Sequence, residues 1–199
     1  ISETLTGEPV LPGKQSLLHT AVVPQTPFEN IALAISGGGF RAAGYGLGVL
    51  SYLNHLRFND HQNNHAATAL LHKVKFISSA SGGSMCNALY TLHTAQKGND
   101  SFDVFYKKLL NFMQGDTALK RALEILNDDK KWPRHKDGKS RTLINAFAVA
   151  YDEDTLFNGA TIQDLRKTET HLEEVWFNST ELYKGVTFRQ GLWLKGGNT

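Results

Sequence analysis

Residues 31–50, IALAISGGGFRAAGYGLGVL, decide how this chain is read. The first five are apolar throughout, as expected of a short strand covered on both faces of a parallel sheet. Gly37, Gly38 and Gly39 then interrupt the apolar run. After them Ala42, Ala43, Leu47, Leu50 and Leu53 recur at helical spacing and predict a helix over about residues 41–56. Three glycines between a strand and a helix bring bare backbone amides, and the positive end of the helix, close to negative charge. That charge is either a cofactor's phosphate or the oxyanion of a reaction.

A second turn of the same kind follows. VKFISSA (residues 74–80) is the next strand, and SGGSMCNALY opens another helical pattern carried by Met85, Leu89 and Leu92. Ser81 sits between strand and helix with Gly82 and Gly83 directly behind it. A nucleophile elbow is built this way, because small residues let strand and helix pack closely while a strained turn exposes the serine hydroxyl. The usual G-x-S-x-G becomes Ser79-Ala80-Ser81-Gly82-Gly83, with serine in the first glycine's place. Centring the motif on Ser79 puts Ile77 where a tiny residue is needed, and Ser84 lies too far into the helix. On this motif alone, a plain small-residue turn remains the alternative to a nucleophile.

Taken alone, Gly37-Gly38-Gly39-Phe40-Arg41-Ala42 also fits the dinucleotide fingerprint G-x-G-x-x-A. That reading needs an acidic residue ending a second strand about 20 residues on. Asp60 has the spacing, but it stands in FNDHQNNH, which has no strand before it. A P-loop fails because no Gly-Lys-Ser/Thr follows. An oxyanion hole needs only adjacent amides at a helix N-terminus, and Gly37–Gly39 offer them, with Arg41 adding charge or orienting the loop.

Strand, glycine turn, helix, repeated, is the grammar of an α/β domain with a mainly parallel sheet. Residues 1–30 hold four of the five prolines and read as an irregular lead-in. A short helical stretch is expected near residues 66–72, and residues 102–126 look largely helical, with Phe105, Leu109, Phe112 and Met113 on one side. Residues 143–151 and 162–167 look helical, and EVWFNST (174–180) and VTFRQG (186–191) look like strands joined by a glycine turn. At 199 residues, 41% hydrophobic and 20% charged, the chain has room for one globular domain or part of a larger one. A net charge of +2 does not argue for nucleic acid. The single cysteine, Cys86, rules out an intrachain disulfide and reads as a small buried thiol. No apolar run is long enough to span a bilayer, and no charged-then-apolar leader pattern opens the sequence as it stands; compartment is left open. Starting at Ile1, the chain reads as processed, truncated or excised.

The two glycine turns together, SGGGxR after one strand and a serine elbow 40 residues past Arg41 after the next, resemble patatin-like and cytosolic phospholipase A2-like lipid acyl hydrolases. The resemblance runs from ALAISGGGFRAAGYGLGVLSYL through FISSASGGS and extends to WFNSTELYKGVTFRQG. It implies a three-layer α/β domain over residues 31–199, incomplete at its C-terminus. It further implies Ser81 as nucleophile, Gly37–Gly39 as oxyanion loop, Arg41 in support, and a Ser–Asp dyad acting on acyl esters of phospholipids at a membrane or micelle surface. No cofactor, metal or nucleic acid is implied. The family's aspartate stands in Asp-Gly-Gly or Asp-Gly-Ala, and this chain has none. Asn158-Gly159-Ala160 carries asparagine, precedes the WFNST strand and reads as a turn or helix cap. The aspartate is therefore expected beyond residue 199, in a C-terminal portion that would complete the domain, and the segment alone is expected to be nearly inactive.

A histidine-based triad is the rival within esterases. His55, His61, His65, His72 and His93 flank the strands, and His135 and His171 read as surface residues. From other classes, the alternatives are a Rossmann-like dinucleotide-binding module and a non-catalytic lipid-binding domain. The loop KKWPRHKDGKSR places Lys130, Lys131, Trp132 and Arg134 where they would suit an anionic membrane surface, or simply form a solvated loop whose Trp132 packs inward.

Overall fold

The computed structural model describes residues 28–58, 68–96, 101–114, 117–132, 138–152, 156–166, 170–181 and 183–194. Most of the proline-rich lead-in, Asp60, His61, His65, Arg134 and His135 lie outside them. Thirteen elements follow in order: β1 (Ile31–Ile35), α1 (Gly39–His55), β2 (Arg57–Phe58), β3 (Thr68–Ala69), a 3-10 turn (Leu70–Lys73), β4 (Val74–Ala80), α2 (Gly82–Ala95), α3 (Phe102–Met113), α4 (Thr117–Asn127), α5 (Leu143–Asp152), a second 3-10 turn (Ile162–Arg166), β5 (Glu174–Glu181) and β6 (Val186–Trp193).

Four strands form an open sheet in the order β1-β4-β5-β6. β1, β4 and β5 run parallel, and β6 returns antiparallel beside β5. This is the expected α/β arrangement, with five α-helices among the described residues. The hairpin turn ends at Gly185, whose φ of 66° suits glycine. Trp176 lies opposite Gly191, and a β-carbon there would come within 2.7 Å of the indole, so the ring covers a bare stretch of β6.

Three expectations need correction. β1 is not covered on both faces: Ile31, Leu33 and Ile35 pack on the core while Ala32 and Ala34 are exposed. It is an end strand of the sheet, so an all-apolar run here records small alanines at an open edge. The helix near residues 66–72 is replaced by the two-residue strand β3 and a 3-10 turn leading into β4. The helix expected over 162–167 is a 3-10 turn at Ile162–Arg166, whereas residues 102–126 are largely helical as expected, in two helices, α3 and α4.

The main core lies between α1, α2, α3 and the sheet, with Leu50, Val74, Ile77, Leu89, Phe105 and Leu109 almost wholly buried. Each such side chain stabilises by about 1.5–3 kcal/mol relative to exposure. Gly46 lets α1 approach α2, since a β-carbon there would stand 3.2 Å from Cys86 Sγ and from Ile35 Cγ2. A second cluster joins α4 to α5 through Ala122, Ile125, Ala146 and Ala150. No helix among the described residues is long and apolar enough to cross a membrane.

At the amino ends of the strands, His72 stacks on His171 with ring centroids 5.2 Å apart, and Tyr90 Oη lies 3.1 Å from His171 Nε2. Lys75 Nζ donates to the His171 carbonyl at 3.3 Å and stands 3.9 Å from Glu173. His171 is thus half-buried in a polar cluster, not a plain surface residue. Burial of the His72 ring, and then the charges of Arg57 and Lys75, lower its pKa below the usual histidine value. The unfolded chain binds the proton more readily, so this stabilisation is fully present above about pH 6.5 and is lost as pH falls through that value. The melting temperature should therefore drop between pH 7.5 and 5.5, and His72→Gln should flatten the slope; parallel slopes for the two proteins would refute the coupling.

Candidate functional site

The parallel strands β1, β4 and β5 deliver their carboxyl ends to one edge of the sheet, where open α/β folds place ligands. Ile35 pairs with Ser79, and Ala80 with Asn178, so the glycine loop, Ser81 and the end of β5 leave the sheet side by side. Ser81 has φ 49° and ψ −124°, a conformation that costs a serine roughly 1–3 kcal/mol and that elbows exploit to present the hydroxyl. The residue is exposed, while Gly82 and Gly83 behind it are buried.

The two glycine turns interlock. Gly38 (φ 144°) and Gly39 (φ 60°) take backbone angles that side chains disfavour. A β-carbon on Gly82 would fall 2.0 Å from the Gly39 carbonyl oxygen. One on Gly83 would fall 2.6 Å from the Ser36 oxygen and 2.7 Å from that of Ile35. A β-carbon on Gly37 would stand 3.1 Å from Ser81 Cβ and 3.8 Å from Ser81 Oγ. The sequence-predicted loop and the sequence-predicted serine are therefore neighbours, although 40 residues separate Arg41 from Ser81.

Beneath the serine is a polar network that sequence reading missed. Asn87 Nδ2 donates to Ser79 Oγ at 2.9 Å and to the Trp176 carbonyl at 3.3 Å, and Thr91 Oγ1 donates to Asn87 Oδ1 at 3.2 Å. Ser79 Oγ lies 3.2 Å from both Ser84 Oγ and the Trp176 oxygen. Asn178 Nδ2 donates to Ser78 Oγ and to the Ser79 carbonyl, both at 3.0 Å. The available signal was Asn87, a polar residue amid the apolar pattern Cys86, Ala88, Leu89. Ser79, in the first-glycine position of the sequence pattern, is buried and hydrogen-bonds beneath the turn.

Beside Ser81 opens a cavity of about 460 Å³, walled by Phe40, Met85, Ala88, Tyr151, Phe157 and Phe177. Phe157 and Phe177 were not singled out from sequence, nor was Tyr151, whose phenol burial pushes up in pKa. Among the described residues, no carboxylate or imidazole lines this cavity. Arg41 is not there either: it lines a separate hollow of about 380 Å³ along the outer edge of β1, with Gly37, Gly38 and Tyr45. Asn158 and Gly159, both at positive φ, form the turn that leads from α5 toward β5. Cys86 is fully buried and burial pushes its thiol up to about 12, which leaves it protonated and inert. Lys130, Lys131 and Trp132 lie in the connection after α4. Trp132 packs on the α4–α5 cluster under the Arg141 guanidinium, 5.8 Å from the ring centroid, and Lys131 pairs with Glu124 at 3.1 Å.

The interlock has a measurable signature. Gly82→Ala should destabilise the protein by at least about 3 kcal/mol, because backbone must move on both turns. Gly48→Ala, in α1 with nothing within 4 Å of the new methyl, should stabilise it by about 0.5–1 kcal/mol. Similar denaturation midpoints for the two variants would show that the turns are not in contact.

No protein-family profile matches the chain, and no solved structure matches it. Over 147 residues it is 27% identical to Lysophospholipase 3 of Saccharomyces cerevisiae, a stretch that covers 74% of this chain. The same stretch is only 18% of the yeast protein's length, so the chain corresponds to a minor part of that relative.

Proposed function

We propose that this chain carries the nucleophile and the oxyanion loop of a serine lipid acyl hydrolase of the phospholipase or lysophospholipase type. The observation that supports it most is the seating of Gly37 against a strained, exposed Ser81 at the mouth of an apolar cavity. The similarity to a lysophospholipase points to the same class.

In this reading Ser81 Oγ attacks the acyl carbonyl carbon, its proton passing to an aspartate expected beyond residue 199. The carbonyl oxygen becomes an oxyanion held by the Gly37–Gly39 amides, whose orientation is fixed before the substrate arrives. Collapse of the tetrahedral intermediate expels the alcohol, which takes the proton from the aspartic acid and leaves an acyl-serine. Water, deprotonated by the same carboxylate, then attacks the acyl-serine, and a second tetrahedral intermediate releases the fatty acid and restores Ser81. The aromatic cavity would hold the acyl chain, and Arg41 would brace the glycine loop from its far side. The dinucleotide reading fares worse. The strand after α1 in the parallel sheet, β4, ends in Ser-Ser-Ala and is followed by Ser81, with no carboxylate for a ribose, and Gly82 occupies the space against Gly39.

Fluorophosphonate labelling of the longest natural form of the chain tests this, with the adduct mapped by peptide mass spectrometry. A single adduct on Ser81, abolished by Ser81→Ala, is expected; labelling at another residue, or none, would overturn it. A general base is typically worth 10²–10⁴-fold. The segment 1–199 by itself should accordingly hydrolyse acyl esters at least about a hundredfold more slowly than the longer protein, and equal rates would remove the need for a downstream aspartate.

A further inference from the structure

The α4–α5 hairpin exposes large apolar side chains that the hydrolase chemistry does not use. The two helices meet through small side chains, Ala122 on α4 and Ala146 and Ala150 on α5, with Ile125 between them. That contact leaves four large apolar side chains outside: Leu119 and Leu123, one turn apart on α4, and Leu143 and Ile144 at the start of α5. Their exposures are 45%, 41%, 40% and 81%. A single exposed leucine needs no explanation, but four on one short hairpin among cations have the composition of an interfacial segment.

Charge points the same way. The described residues of this stretch, 117–132 and 138–144, hold six lysines and arginines against three acids, an excess of three, whereas the whole chain has an excess of two. All the surplus positive charge therefore resides in this hairpin, and the remainder of the chain is net acidic. Ion pairs within the hairpin, Arg121 and Lys131 with Glu124 and Arg141 with Asp129, brace it without removing the surplus. Trp132 packs on the α4–α5 cluster and is not one of these exposed side chains.

The hairpin is also tied to the candidate site. Tyr151, in the last turn of α5, lines the cavity beside Ser81 and meets Phe112 of α3 at 5.5 Å between centroids. Ile144 precedes Tyr151 by seven residues, which at helical rise is about 10 Å, less than half the apolar thickness of a bilayer. One end of α5 thus presents apolar side chains to the outside while the other walls the cavity.

We propose that the α4–α5 hairpin docks the protein onto an anionic lipid bilayer, with Leu119, Leu123, Leu143 and Ile144 entering the interface and the surrounding lysines and arginines engaging the headgroups. The link between this surface and the cavity rests on the hydrolase reading, but the docking is measured without turnover. The Ser81→Ala protein, as the full natural chain, is co-sedimented with vesicles of phosphatidylcholine alone or with 30% phosphatidylserine. Strong binding is expected only to the anionic vesicles, weakening as salt rises. Lys120→Glu/Lys130→Glu/Lys139→Glu should weaken it about a hundredfold or more, and Leu123→Ser/Ile144→Ser at least tenfold. Unchanged circular dichroism and melting temperature show that both variants fold.

Equal binding to neutral and anionic vesicles, no binding at all, or binding that survives both sets of substitutions would overturn the proposal. The same surface substitutions placed on the wild-type serine should leave fluorophosphonate labelling in vesicle-free solution unchanged. Loss of labelling at Ser81 in the wild type would thus sink the hydrolase reading while leaving the vesicle result to decide the docking surface.

Discussion

Two backbone turns lie closer together than any side chain would permit, and the rest of the site depends on that contact. The Gly39 carbonyl stands where a β-carbon of Gly82 would be, and the Ser36 and Ile35 carbonyls stand where one of Gly83 would be. Glycine is required at these positions by proximity more than by backbone angle. This contact brings the start of α1 beside the start of α2, so the positive ends of two helix dipoles converge near Ser81. It also sets how closely the glycine loop sits to the serine.

A contact made only of glycines has no side chains to stiffen it, and the stiffness comes from below. Ser79, Asn87, Thr91 and the Trp176 carbonyl bind strand β4, helix α2 and strand β5 into one hydrogen-bonded block under the turn. Buried polar groups left without partners would cost about 1–3 kcal/mol each. Among the described residues no buried side-chain nitrogen or oxygen lacks a partner. A fully satisfied network of this kind resists rearrangement, because moving one member strands the others. The strained φ of Ser81 can persist on such a base, since the surroundings fix the residue on both sides.

The parts of this arrangement that were legible in the sequence were those written in local pattern. Gly37–Gly39, Gly82 and Gly83 announced tight turns, the periodicities around them announced strand and helix, and ELYKG announced the β5–β6 hairpin. What escaped was whatever depends on which element lies next to which. The alanines of β1 looked like a doubly covered strand because composition does not distinguish a small residue in a core from one at an edge. The short segment at residues 68–73 lacked the length to reveal its period. His171 seemed a surface residue because nothing in its neighbourhood announces that His72 and Tyr90, distant in sequence, close around it. Phe157 and Phe177 reach the cavity from separate segments and share no spacing with Ser81.

Helix α2 shows how far environment, more than residue chemistry, governs reactivity here. A cysteine is intrinsically the stronger nucleophile, and Cys86 lies only five residues beyond Ser81. Yet Cys86 faces Gly46 and Ile35 in the packed seam between α1 and the sheet, where burial disfavours the thiolate and no substrate can approach. Ser81 stands just before the helix, exposed beside the glycine loop and at the cavity. The same glycines decide both outcomes: Gly46 lets the helices close over the thiol, and Gly82 and Gly83 let the turn come forward without a clash. Under the proposed reading, the choice of serine over cysteine is therefore a consequence of how closely two helices and two turns pack.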